Sequence, residues 1–155
     1  MKLNRKRKGF TLVEIMIVVA IIALLATIAV PNFLRVRKRS QATRILEEMR
    51  LIEGAKDQWA LEKNKSSADK PTGADLAPYV KKDSPLQKNL VAAAATTKVK
   101  DLLDNDVEIG DVDTPPQIDK ATYDEFTPSV IEATDNFWGA YYTIGGTPDP
   151  DPDNP

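Results

Sequence analysis

Cysteine and histidine are both absent from this chain of 155 residues. Without cysteine, the chain can form neither a disulfide framework nor a thiolate metal site, and it has no thiol nucleophile. Without histidine, it lacks the commonest general base and the commonest metal ligand. Carboxylates are numerous, but no nucleophile motif accompanies them. The composition therefore argues against an enzyme, and we predict no catalytic residue.

Basic residues are scarce in the last third of the chain. Residues 101–155 contain fourteen acidic residues and a single base, Lys120. The net charge of −2 becomes −7 without the first nine residues, which carry five of the 21 cations and no acid. Because a surface of this charge repels phosphate, we expect no nucleic-acid partner.

A long apolar run follows a basic N-terminus. Residues 1–8 include five cations, and from Phe10 to Val30 the only residues that are not frankly apolar are Thr11, Glu14 and Thr27. About 20 apolar residues suffice for a helix to cross the hydrocarbon core of a bilayer. Because cations accumulate on the cytoplasmic side of such helices, we expect the rest of the chain outside the cytoplasm. The carboxylate of Glu14 is the anomaly, since a charge inside a membrane segment is costly and commonly functional.

Three interpretations of this segment are open. It could be a secretory signal peptide removed near residues 27–29, an ordinary single-pass anchor, or a leader cut between Gly9 and Phe10 that leaves the apolar segment on the mature protein. The apolar run exceeds the roughly 7–15 residues usual in a signal peptide. Glu14 suits neither of the first two interpretations, because both would be better served by an apolar residue. These observations favour the third.

Helical periodicity continues beyond the apolar run. Pro31 removes one backbone hydrogen bond and is expected to kink the helix. After it, apolar residues recur every three or four positions and define one stripe: Ala42, Ile45, Leu46, Met49, Ile52, Ala55, Trp59 and Ala60. The opposite face is polar, with Arg44, Glu47, Glu48, Arg50, Glu53 and Asp57. We predict one helix from Phe10 to about Lys63, roughly 80 Å long at about 1.5 Å per residue, which a head of this size cannot bury.

The remaining residues predict an α+β fold. The long helix, hydrophobic in its first half and amphipathic in its second, is expected to pack on a small C-terminal head with short helices and a small antiparallel sheet. The predicted head elements are a helical turn at 74–80, a helix at 86–103 capped by Ser84 and Pro85, a strand at 107–109, a helix at 123–133 and a strand at 137–144.

These elements divide the chain into five predicted segments. They are a basic leader at 1–9, a transmembrane and assembly helix at 10–34, its amphipathic continuation at 35–63, a globular head at 64–146 and an acidic, proline-rich tail at 147–155. The tail has no apolar residue other than proline, so we expect it to be extended or disordered.

The motif Lys8-Gly9-Phe10-Thr11-Leu12-Val13-Glu14 and the apolar helix behind it resemble the N-terminal signature of type IV pilins and type II secretion pseudopilins. The resemblance covers residues 9 to about 38. In that family, a membrane prepilin peptidase and methyltransferase cuts after the glycine and methylates the new N-terminal residue. The resemblance therefore implies cleavage between Gly9 and Phe10, followed by N-methylation of Phe10.

The resemblance also implies a route and a set of partners. The subunit would be stored in the bacterial inner membrane, in contact with lipid and with its head outside the cytoplasm. An inner-membrane assembly platform would then polymerise it, with copies of itself and other pilin-like subunits, into a pilus (fimbrium) or a periplasmic pseudopilus. In this family's mechanism Glu14 of one subunit pairs with the α-amine of Phe10 on its neighbour, because two unpaired charges are expensive in an apolar bundle.

A second hypothesis is a monomeric, membrane-anchored binding module with an acidic head that captures a ligand or calcium. Acidic residues cluster at 104–113 and alternate in the tail, so Asp104, Asp106, Asp149 and Asp151 are weak candidates for calcium ligands. Neither cluster fits an EF-hand, and a solvated acidic surface explains both. We therefore expect no cofactor, with calcium as the exception to test.

Overall fold

The computed structural model describes residues 9–127, 130, 131, 136–144, 147 and 148. The fold is α+β, as the sequence predicts, and it divides into two compact units, Met1–Arg37 and Lys38–Pro155. The elements are α1 (Leu12–Lys63), α2 (Gly73–Leu76), a 3₁₀ helix (Ala77–Tyr79), α3 (Pro85–Ala92), β1 (Lys98–Lys100), β2 (Asp106–Glu108), β3 (Gln117–Ile118), α4 (Lys120–Phe126), a second 3₁₀ helix (Gly139–Tyr141), β4 (Thr143–Ile144) and β5 (Thr147–Pro148).

The first half of α1 exposes its apolar side chains. From Phe10 to Val36, the large apolar side chains are 50–84% exposed. By length and composition this stretch can cross a membrane. The helix begins at Leu12, two residues later than predicted, and continues through Pro31. A kink at Pro31 stays a prediction. Because the exposed surface is apolar on all sides, it requires cover from lipid or protein.

The second half of α1 forms one wall of the head core, as the apolar stripe predicts. Its buried apolar residues are Ala42, Ile45, Leu46, Met49, Ile52, Ala55 and Trp59. Two ionic residues, Glu48 and Lys56, are buried on the same side. The placement of Glu48 on the polar face was therefore wrong. Glu48 follows Ile45 by three residues and precedes Ile52 by four, and residues at those spacings share a helix face.

The principal sheet covers this wall with three antiparallel strands in the order β1-β2-β3. Val99 lies opposite Val107, and Val107 lies opposite Ile118. All three side chains are buried in the cluster that includes the α1 stripe. The predicted strand at 107–109 is thus confirmed, shifted by one residue. A second antiparallel pair joins β4 to β5, so the first residues of the predicted tail form a strand.

The predicted helix over residues 86–103 was right only for its first half. The side chain of Ser84 caps α3 as predicted, accepting a hydrogen bond of 3.1 Å from the Gln87 amide. The helix ends at Ala92, and Lys98–Lys100 forms β1 instead. The β-branched pair Thr96 and Thr97 disfavours helix, and extension gives Val99 a cross-strand partner.

The predicted strand over residues 137–144 was wrong for most of its length. Residues 139–141 form a 3₁₀ helix, and the strand is confined to Thr143–Ile144. Gly139 has a φ of +52°, which an extended strand does not permit. Trp138 and Tyr142 are nevertheless buried in the core, and the Tyr142 ring stacks on Tyr123 at 4.0 Å between centroids.

Of the other predicted helices, one is confirmed and one is shorter than predicted. The turn at 74–80 is confirmed as α2 and the 3₁₀ helix that follows it. The helix predicted at 123–133 is α4, which starts earlier and ends at Phe126. Thr127 is extended, since a residue before proline avoids helical geometry. Residues 128, 129 and 132–135 lie outside the described part of the chain.

Two glycines provide a matched test of the head packing. A Cβ on Gly73 would meet the backbone carbonyl oxygen of Leu90 and lie 2.7 Å from that of Ala93. On Gly54, inside α1, it would meet nothing within 4 Å. We expect Gly73→Ala to lower the unfolding midpoint of the full chain in detergent micelles. Gly54→Ala should raise the midpoint, because alanine favours a helix over glycine by up to about 1 kcal/mol. Fluorescence of Trp59 and Trp138 reports the transition, and a Gly73→Ala variant as stable as the wild type would contradict this packing.

The burial of Glu48 can be tested through the pH dependence of the stability of the head. Burial raises the pKa of its carboxyl group, against the opposing pull of Arg44, whose Nε lies 3.8 Å from Oε1. A raised pKa means that the penalty on stability develops as pH rises from the ordinary glutamate pKa through the raised one, and that it disappears in acid. Glu48→Gln should therefore raise the unfolding midpoint at pH 7 and have little effect near pH 3. A lower midpoint at pH 7 would show instead that the Arg44 pair outweighs burial.

Candidate assembly site

The predicted cleavage site lies immediately before α1. Gly9 and Phe10 are outside the helix and exposed. Apart from the chain neighbours of Gly9, no described residue has a heavy atom within 4 Å of a Cβ position on this glycine. An enzyme that approaches this backbone therefore meets no helical hydrogen bond that it would have to break.

Glu14 is hydrogen-bonded to the start of its own helix. Its Oε2 accepts hydrogen bonds from the Thr11 amide and the Thr11 hydroxyl, both at 2.8 Å. In return, the Glu14 amide donates to Thr11 Oγ1 at 3.2 Å. This reciprocal arrangement is a capping box, in which two otherwise unpaired helix N–H groups are satisfied. It reduces the cost of an anionic side chain in the apolar segment without involving a second chain.

The other oxygen of the Glu14 carboxylate remains available. Among the described residues, none donates a hydrogen bond to Oε1. An ionised carboxylate has about four lone-pair sites, two on each oxygen. The two hydrogen bonds from Thr11 occupy those on Oε2. The capping box therefore fixes the carboxylate in position and leaves one oxygen for a further donor.

Cleavage after Gly9 would create such a donor. The new α-amine would belong to Phe10, one residue before the cap Thr11. The N-terminus of an α-helix carries a partial positive charge, so an ammonium group is unfavourable there and a carboxylate is favourable. After such a cleavage the site would combine a carboxylate suited to its position with a cation that needs a partner.

The candidate calcium ligands are not brought together in the described part of the chain, where no group of three or more potential metal ligands occurs. Asp106 pairs with Lys100 at 2.8 Å, and the hydrogen bond from Lys100 lowers the pKa of Asp106. Asp104 is exposed at a turn. Asp149 and Asp151 lie outside the described residues, so calcium binding stays untested.

Known proteins share the N-terminal pattern. The family profile described as the prokaryotic N-terminal methylation motif matches residues 4–30. The type IV major pilin protein PilA of Myxococcus xanthus is 39% identical over 66 residues, 43% of this chain and 30% of that protein. A fimbrial protein of Pseudomonas aeruginosa is 45% identical over 58 residues, 37% of this chain and 38% of its own length. The N-terminal segment of this chain is therefore similar to that of type IV pilins and carries the methylation motif.

Both branches of the pilin and pseudopilin family appear among the relatives. The type II secretion system core protein G of Klebsiella pneumoniae is 31% identical over 61 residues, 39% of this chain and 44% of that protein. The chain thus spans about a third to under half of the length of these pilin-family relatives. No solved structure matches.

Thr11 is the residue of this site that was not predicted from the sequence. Its signal was present, since Thr11-x-x-Glu14 has the spacing of a capping box. The apolar context drew attention to the charge of Glu14 and away from the hydroxyl three residues earlier. The structure adds Thr11 to Phe10 and Glu14, and places Pro31 seventeen residues farther along α1.

A Thr11→Val variant isolates the capping box, because it keeps the shape of the side chain and the Glu14 carboxylate. We expect the start of α1 to be destabilised by about 1 kcal/mol, the usual cost of losing an N-cap. Amide hydrogen exchange in detergent micelles should accelerate at Glu14, whose amide donates to the lost hydroxyl. Exchange at Met49, deep in the head, should not change. Unaltered exchange at Glu14 would mean that the capping box does not form.

Proposed function

We propose that this chain is a structural subunit, stored in the bacterial inner membrane and polymerised through α1 into a type IV pilus or a type II secretion pseudopilus. The observation that carries the proposal is the exposed apolar first half of α1 with one carboxylate at its start. A simple anchor needs the apolar surface and can use Glu14 as a helix cap, but it has no use for the second carboxylate oxygen. A polymer uses both.

The order of events follows from the chemistry of the site. A prepilin peptidase cuts between Gly9 and Phe10, and methylation of the Phe10 amine leaves it able to carry a positive charge. In the membrane, the capping box holds Oε2 of Glu14. On assembly, the free oxygen accepts the amine of a neighbouring Phe10. Each subunit then brings one buried anion and one buried cation, and the pair sets the axial offset between adjacent helices.

Close packing of the apolar helices, together with the ion pair, supplies the cohesion of the fibre. Lipid covers residues 10–34 of the stored subunit, and the helices of neighbouring subunits replace that lipid in the polymer. Since hydrocarbon and helix surfaces are similarly apolar, the exchange itself gains little, and close packing and the ion pair decide the association. The relatives support this role, because their names describe pilus, fimbrial and secretion-system components.

The names of the relatives divide between surface pili and a secretion system. The proposal covers both the pilus and the pseudopilus, since α1 would serve either fibre. Homologous pilin-like subunits and an inner-membrane assembly platform are the expected partners in both. No enzymatic activity is proposed for the chain.

Two substitutions remove the proposed ion pair from opposite sides. Glu14→Gln removes the anion and keeps the side chain's length. Gly9→Leu is expected to block cleavage, since the peptidase must approach this backbone closely, and it thereby withholds the amine. Losing one partner of a buried pair costs about 3–5 kcal/mol, so each variant should reduce the yield of sheared fibres by more than about a hundredfold. The double variant should be no worse than either single one.

Mass spectrometry of the N-terminus provides the controls. The wild type and Glu14→Gln should both begin with N-methylated Phe10, whereas Gly9→Leu should retain Met1. Leu51→Ala, on the exposed side of α1 in the head, should leave processing unchanged. A mature chain that starts near Val30 would contradict the proposal, as would normal fibre yield from Glu14→Gln. The membrane-anchored binding module would then be the better explanation.

A further inference from the structure

Lys56 is a fully buried lysine in the middle of the head. It has no exposed surface and lies on the buried side of α1, one turn after Ile52 and just before Trp59. Lysine is rarely buried to this extent unless its charge is balanced. In the described part of the chain, however, Lys56 forms no ion pair. Burial lowers the pKa of its ammonium group, and nearby carboxylates oppose that shift without forming an ion pair, so hydrogen-bond acceptors must supply the direct contacts.

Three backbone carbonyl groups surround the ammonium. Lys56 Nζ donates to the carbonyl oxygen of Ile109 at 3.1 Å, to that of Asp111 at 2.9 Å, and to that of Thr114. A lysine ammonium has three N–H donors and no acceptor, so these three bonds satisfy it completely. The Asp111 carboxylate points to another lysine, with Oδ1 3.3 Å from Lys70 Nζ.

The loop that provides these carbonyls, residues 109–114, is shaped by other contacts as well. Gly110 has a φ of +73°, and the Thr114 amide donates to the Asp111 carbonyl at 3.2 Å to close a turn. The amides of Ile109 and Val112 donate to the carbonyls of Thr97 and Asp69. The three carbonyl oxygens that face Lys56 are thus held together by bonds that do not involve it.

We propose that the carbonyls of Ile109, Asp111 and Thr114 form a binding site for a primary ammonium group, which Lys56 fills permanently. The head then carries its own cation at this loop and needs no metal ion there. Three carbonyls match the three donors of an ammonium. Calcium takes six to eight oxygens at about 2.3–2.6 Å, which this loop does not supply. The inference is independent of fibre assembly, because it concerns the folding of a single head.

Truncation of Lys56 should convert this internal contact into a ligand site. Lys56→Ala removes three carbons and the nitrogen, and propylammonium has the same atoms. We expect Lys56→Ala to lower the unfolding midpoint of the full chain in detergent micelles by about 10 °C or more, because three carbonyls lose the ammonium and the core loses the aliphatic stem. Propylammonium should raise the midpoint again with increasing concentration, as a ligand of the folded state does. Equal concentrations of 1-propanol should have a much smaller effect.

Matched variants separate the charge from the packing of the side chain. Lys56→Met fills the same volume without donors, so it should be destabilised and should not respond to propylammonium. Lys82→Ala, at an exposed lysine, should behave as the wild type in every buffer. Neither calcium chloride nor EDTA should change the wild-type midpoint.

Several outcomes would overturn the proposal. A Lys56→Met variant as stable as the wild type would show that Lys56 contributes only the packing of its aliphatic stem. A Lys56→Ala variant that responds equally to propanol, or more strongly to calcium than to propylammonium, would exclude an ammonium site. Should Lys56→Ala be unfolded without amine, the titration is followed by near-ultraviolet circular dichroism. Recovery of the tryptophan signal then supports the proposal, and its absence contradicts it.

Discussion

The apolar surface of the first half of α1 is the constraint on which the rest of the molecule depends. Its large apolar side chains are at least half exposed from Phe10 to Val36. This half of the helix has no polar face that could be turned toward water. Such a surface must be covered, and in the function that we propose lipid covers it first and copies of the same chain cover it later. The second half of the same helix solves the problem differently, since its apolar residues form a single stripe that the head covers.

Each half of α1 has one charged side chain that is held by hydrogen bonds within the same chain. At its start, Thr11 engages one oxygen of Glu14 through its amide and hydroxyl and leaves the other oxygen open. In the head, three carbonyls engage all the donors of Lys56 and leave none open. This difference separates a group suited to a partner from one suited to permanent burial. An assembly residue needs remaining hydrogen-bonding capacity, and a structural one does not.

The sequence predicted what depends on local periodicity and missed what depends on tertiary contacts. The stripe from Ala42 to Trp59 and the cap at Ser84 follow from helix geometry, and both were found. β1 could not be predicted, because Val99 becomes extended by pairing with Val107, across a loop that carries no hairpin signal. The burial of Lys56 was not predicted, because the carbonyls that explain it lie more than fifty residues farther along the chain.

The most direct test of the central claim is a helical reconstruction of the assembled fibre by electron cryomicroscopy. The account predicts that residues 10–34 of every subunit lie in a solvent-free core. It also predicts that the amine of Phe10 lies within ion-pair distance of a neighbouring Glu14 whose other oxygen still faces Thr11. Fibres held together by the heads alone, with residues 10–34 outside the core or Glu14 facing no amine, would contradict it.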